Sequence, residues 1–144
     1  MSGGVAAHVV SVRAVDPEAF LTCSLLPAAA RDSAFAMRAL DLELAAIPGA
    51  ARGNAGAGRV RIAFWRDLVA AVFDRPAAVA ASKPMSRKGG VEAHPLFEPL
   101  ASAVATHGHT RRWLDRMIDA RDADLDSTPP DSIEVRCAGT RTVC

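Results

Sequence analysis

Along most of the chain, apolar residues return every three or four positions, the spacing that lines one face of an α-helix. Proline and glycine divide these stretches into five predicted helices. The first opens at Asp16-Pro17-Glu18, where Asp16 can cap the free backbone N–H groups, Pro17 suits the first helical position and Glu18 suits the positive end of the helix dipole. Ala19, Phe20 and Cys23 form its apolar stripe, and Pro27 ends it by pushing Leu26 towards extended geometry. The second spans residues 32–47, with Ala36, Leu40, Leu44 and Ile47 in phase and Pro48-Gly49 as the predicted stop. Residues 50–58 read as a glycine-rich connection. The third spans residues 59–73, where Ile62, Trp65, Leu68, Val69, Val72 and Phe73 share a face that leaves Arg59, Arg61, Arg66 and Asp67 largely outside it.

Residues 74–95 carry Pro76, Pro84, Gly89, Gly90 and Pro95, the composition of a long loop with room for one turn of helix in its alanine run. The fourth helix covers residues 96–107, with Leu96, Phe97, Leu100 and Val104 inward, and Gly108 breaks it. Thr110 is placed to cap the fifth, whose predicted buried stripe is Trp113, Leu114, Met117 and Ile118. Periodicity ends after Pro129-Pro130, so residues 127–144 read as an irregular tail.

Composition strengthens the helical reading. Half of the 144 residues are hydrophobic but only 5% are aromatic and none is tyrosine, so alanine makes up much of the apolar content. Alanine loses no side-chain entropy on entering a helix. The expected class is all-α, in one domain with one modest core. Seventeen basic residues against sixteen acidic ones give a net charge of +1, which provides no electrostatic basis for binding nucleic acid. Three cysteines, Cys23, Cys137 and Cys144, lack a zinc-ligand spacing and read as reduced thiols. No apolar run is long enough to span a membrane. The first fifteen residues hold no acid and one arginine, Arg13, and residues 1–14 read as a short leader.

Four groups of residues invite a chemical reading. The glycines of residues 50–58 do not match a phosphate-cradling loop, because no lysine and serine follow at the required spacing. Asp41 and Glu43 are two positions apart, about 200° of rotation on a helix, so they cannot face one metal together. His107 and His109 flank Gly108 beside Arg111 and Arg112, and with no thiolate or paired acid nearby they read as a polar turn. Asp115, Asp119 and Asp122 share a helix face that suits Mg²⁺, and Asp124 and Asp126 follow. Arg112, Arg116 and Arg121 interleave with them, which favours a salt-bridged surface. Spacing alone supports no catalytic residue, no cofactor and no metal ligand set.

Three blocks together resemble one family. The first is Phe20-Leu21-Thr22-Cys23-Ser24-Leu25-Leu26-Pro27, then Arg31 and Phe35-Ala36-Met37-Arg38-Ala39-Leu40-Asp41-Leu42-Glu43-Leu44-Ala45. The second is Arg61-Ile62-Ala63-Phe64-Trp65-Arg66-Asp67. The third is His94-Pro95-Leu96, Thr110-Arg111-Arg112-Trp113-Leu114, Met117-Ile118-Asp119-Ala120-Arg121 and Asp124-Leu125-Asp126. In order and spacing they resemble squalene/phytoene synthases, and within them the mitochondrial NADH dehydrogenase (complex I) assembly-factor subgroup. The resemblance covers the N-terminal half of that domain, over residues 15–126. It implies part of an isoprenoid-synthase-type helical bundle. It also implies that the tail, where Ile133 to Thr140 is similar to the family's next helix with residues dropped, is a truncated or aberrant end.

In the synthases, aspartates four apart on one helix hold Mg²⁺, which draws off the leaving diphosphate. Aligned on Leu25-Leu26-Pro27 and Arg31, this chain has Ala45 and Gly49 at those two positions. Shifted to place Asp41 on the first aspartate, it has Ala45 as the partner. The resemblance therefore implies a pseudoenzyme on the matrix side of the mitochondrial inner membrane. Its expected partners are complex I subunits or assembly factors, with peripheral membrane contact. The alternatives are an active Mg²⁺-dependent prenyltransferase and a fragment without activity.

Overall fold

A computed structural model of the chain describes residues 6–51, 53–74 and 90–126. These form six α-helices and one 3-10 turn, with no strand among the described residues. The helices are α1 (Ala7–Val15), α2 (Pro17–Ser24), α3 (Ala28–Ala51), α4 (Ala55–Asp74), α5 (Phe97–His107) and α6 (Arg111–Asp124), and the turn is Val91–Ala93. The class is the all-α one expected. The alanine run of residues 77–81, the tail from 127 onward, Cys137 and Cys144 lie outside the described residues.

The long helix α3 is the hub, packing against all five other helices. Its phase explains this. Ala36, Leu40, Leu44 and Ile47 form one stripe and Phe35 and Ala39 a second beside it, all at most 3% exposed. Two adjacent stripes give a helix enough apolar arc to be covered on more than one side. α4 contributes Ile62, Trp65, Leu68, Val69 and Val72, α5 contributes Phe97, Leu100 and Ala101, and α6 contributes Leu114 and Ile118 to the same core.

Several local signals act as the residues dictate. The Asp16 carboxylate accepts the Ala19 N–H at 2.9 Å and so caps α2. That bond, followed by the Arg38 guanidinium, holds its pKa below the usual carboxylate range. The bond stabilises the fold above the ordinary carboxylate pKa and is lost as pH falls through the lowered value. Burial, the largest influence on the Cys23 thiol, pushes its pKa up, which suits a reduced core residue. Gly108, at φ 65°, is the left-handed residue that ends α5.

Elsewhere the structure corrects the reading. Pro48-Gly49 does not stop α3, which runs three residues beyond Pro48. Ile47 and Ala51, 2% and 8% exposed, continue the buried stripe past the proline. An interior proline costs about 3 kcal/mol, and burying one isoleucine returns about 1.5–3 kcal/mol, so packing can sustain the helix. Pro48→Ala is therefore expected to raise stability by about 1–3 kcal/mol, measured as a higher urea midpoint with unchanged m-value. The actual stop is Gly53, at φ 81°.

The predicted connection over residues 50–58 shrinks accordingly. Ala50 and Ala51 belong to α3, and α4 starts at Ala55, capped by Asn54 Oδ1 accepting the Ala57 N–H at 3.1 Å. Residues 7–15, assigned no element from sequence, form α1 and bury Val12 completely against the core. Trp113, placed in the buried stripe of the last helix, is 59% exposed. Thr110 holds the N-cap position of α6 without a side-chain capping bond.

Candidate functional site

The α3 positions that the sequence resemblance singled out, Ala45 and Gly49, lie beyond Leu40. Ala45 and Gly49 are both exposed and neither carries an oxygen donor on its side chain. Asp41, half-buried, is engaged by Arg38 one turn earlier and stands 3.7 Å from an Arg121 nitrogen. Arg38 Nε also donates to Asp16 at 3.1 Å, so one guanidinium ties the N-cap of α2 to the acid of α3. That arrangement, with the Asp16 bond foremost, raises the Arg38 pKa further above its already high value. Glu43 is exposed, and its charge is felt at His94. Asp41 and Glu43 thus serve different neighbours, as their spacing requires.

The acids of α6 form an ion-paired seam with α4. Arg66 reaches Asp119 at 3.0 Å and Asp122 at 2.9 Å, and Arg59 holds both oxygens of Asp126 at 2.6 Å. Arg111 pairs with Asp115 at 3.3 Å, and Arg121 with Asp124 at 3.1 Å. The salt-bridged reading of this acidic region is the one observed, but its main cations come from α4. Arg112 and Arg116, the interleaved residues expected to pair with these acids, make no ion pair among the described residues. The signal available in sequence was Arg59 and Arg66 seven apart, opposite Asp119, Asp122 and Asp126. It becomes legible only once α4 and α6 are known to run side by side. Each such exposed pair contributes at most about 1 kcal/mol.

Each of these carboxylates faces a guanidinium through at least one oxygen, while the other oxygen of Asp122, Oδ1, is buried without a hydrogen-bond partner. Among the described residues, no three histidine, cysteine or acidic side chains converge to hold a metal ion. The rings of His107 and His109 lie tilted to one another, centroids 5.9 Å apart, around the Gly108 turn.

His94 is built into a specific environment near the core. Its Nδ1 accepts the Leu96 N–H at 3.2 Å, and its ring sits edge-on to Trp65 and Phe64, centroids 5.0 and 5.6 Å away. Burial lowers its pKa, with Glu43 opposing the shift. A proton on Nδ1 would also remove the acceptor used by Leu96. Since the folded chain binds that proton less readily than the unfolded chain, stability is full above the ordinary histidine pKa. It falls as pH drops through that value towards the lowered one. A His94→Gln variant is expected to lose this part of the pH dependence between about pH 7 and 5 in urea melts. A profile identical to that of the parent would refute the assignment.

No helix among the described residues is long and apolar enough to cross a membrane. A family model described as squalene/phytoene synthase matches residues 12–135. The chain is similar to NADH dehydrogenase (ubiquinone) complex I, assembly factor 6, of Bos taurus, at 34% identity over 80% of this chain. It is 32% identical to the protein of that name in Homo sapiens, over the same share, and 28% identical to a Drosophila melanogaster homolog over 84% of this chain. The chain spans 30% of the length of the two mammalian relatives and 34% of the insect one. No solved structure gives a significant match. The helical architecture and a match running over residues 12–135 establish that this chain belongs to the squalene/phytoene synthase family.

Proposed function

We propose that this chain is a non-catalytic member of its family that acts in the assembly of mitochondrial respiratory complex I, on the matrix side of the inner membrane. The observation that carries the reading is the helix face bearing Ala45 and Gly49. Prenyl transfer needs paired carboxylates there to hold Mg²⁺ against a leaving diphosphate. This chain offers a methyl group and a hydrogen. The acids of α6 are each paired with an arginine. Relatives with 32–34% identity that carry the name complex I assembly factor 6 support the assembly role. A bundle that has given up its metal sites keeps its surfaces, and surfaces suffice to bring other proteins together.

Two measurements test the proposal. In cells lacking the assembly factor, the chain directed to mitochondria is expected to restore fully assembled complex I on native gels. Accumulation of the chain in the matrix without any restored complex would overturn the assembly role. Purified protein incubated with farnesyl or geranylgeranyl diphosphate and Mg²⁺ is expected to form no coupled product. Turnover that disappears in Asp119→Ala or Asp122→Ala would overturn the non-catalytic reading.

A further inference from the structure

The helix α6 has three faces of different character. Leu114 and Ile118 enter the core, and Asp119 and Asp122 meet Arg66 of α4. At about 100° per residue, the third face carries Arg112, Trp113, Arg116, Ala120 and Ala123, with no carboxylate between Arg112 and Trp113. The indole of Trp113 is 59% exposed, and the Arg116 guanidinium lies over it with its carbon 5.2 Å from the ring centroid. Arg112 is exposed and makes no ion pair among the described residues. Nearby Asp115 is already taken by Arg111. Two guanidiniums that make no ion pair among the described residues thus frame an exposed aromatic ring on this face.

We infer that this face of α6 docks an acidic segment of a partner protein. Tryptophan and arginine are the residues that most often anchor protein interfaces. An indole already stacked by a guanidinium presents a flat apolar surface edged with fixed donors, and carboxylates of the partner would complete the pairing that the chain itself leaves open. A lipid surface fits less well, because stable anchoring on anionic membranes draws on more basic and apolar groups than two arginines and one ring. Nucleic acid fits less well because no basic stripe extends the patch. The inference deepens the assembly reading and rests on it for the compartment in which the partner is sought.

The test places a photoreactive benzoylphenylalanine at Ala120, on the docking face, in the full chain directed to mitochondria, with the same probe at exposed Ala57 as reference. The expected result is a protein adduct, strongest at Ala120, whose cross-linked peptide is rich in aspartate and glutamate. Trp113→Ala combined with Arg112→Glu and Arg116→Glu is expected to lower its yield at least about tenfold, and lysines in place of the partner's acids to restore it. Arg112→Ala alone, at an exposed position, provides a milder version should the triple variant fold poorly. A lipid or nucleic-acid adduct, a cross-linked peptide without acidic residues, a yield no higher than at Ala57 or one indifferent to these substitutions would overturn the inference. An acidic partner outside complex I assembly would leave this surface standing while removing the assembly reading. Full rescue of assembly by a folded triple variant would do the opposite.

Discussion

Replacing Leu40 by alanine is expected to destabilise the fold by about 2–5 kcal/mol, whereas the same substitution at Leu25 should change little. Leu40 is fully buried and Leu25 is 87% exposed. The first change removes apolar atoms from the helix on which every other helix packs, and the hole cannot close without moving several elements together. The second returns to water a side chain that is already there. Since domains of this size are stable by about 5–15 kcal/mol, Leu40→Ala alone could remove a third or more of the total. Paired urea denaturation curves measure both differences directly. Equal losses at the two positions would mean that α3 is not the centre of the core.

Gly58→Val is expected to destabilise by about 1–3 kcal/mol, against the direction that helix propensity alone would suggest. Glycine inside a helix is poorer than most residues, so filling an exposed glycine position usually helps. Gly58, however, is buried in α4 opposite the end of α6, and a Cβ built there would stand 2.6 Å from Leu125 Cδ2. A branched side chain would push Leu125 out of its place and strain the neighbouring Arg59–Asp126 pair. Gly56→Ala is the control. It lies two residues earlier in the same helix, is exposed, and has only the Asn54 side chain near its added carbon. Urea midpoints should move down for Gly58→Val and stay level or rise for Gly56→Ala.

These two cases show where reading by pattern succeeds and where it stops. The stripes of α3, α4 and α5 were legible because burial of a long amphipathic helix is written into its spacing. The cap at Asp16 and the stop at Gly108 were legible because each depends on a residue acting within three or four neighbours. At Pro48 the same local logic failed, since a penalty of about 3 kcal/mol was set against the burial of Ile47 and Ala51, which are far from anything adjacent in sequence. The short α1 was missed for the converse reason. Nine residues are too few to hold a helix in water, and Val12 gains its stability only from the helix it covers.

The candidate site divides in the same way. That Asp41 and Glu43 cannot share a metal follows from two residues and the helical turn. What the α6 acids do instead could not be read from α6. The arginines beside them in sequence were the natural partners, yet Arg59 and Arg66, more than fifty residues away, take Asp119, Asp122 and Asp126. Arg112 and Arg116 are thereby left to frame an exposed Trp113, a residue whose hydrophobicity alone had placed it inside.

By itself, then, the sequence determined the helical class, the main core stripes and the family, because each follows from residue type and spacing along the chain. Only the tertiary structure decided where α3 ends, that α1 exists, which arginines neutralise the acids and which side of Trp113 meets solvent. Those outcomes depend on energies between segments distant in the chain, and periodicity within a segment carries no record of its neighbours.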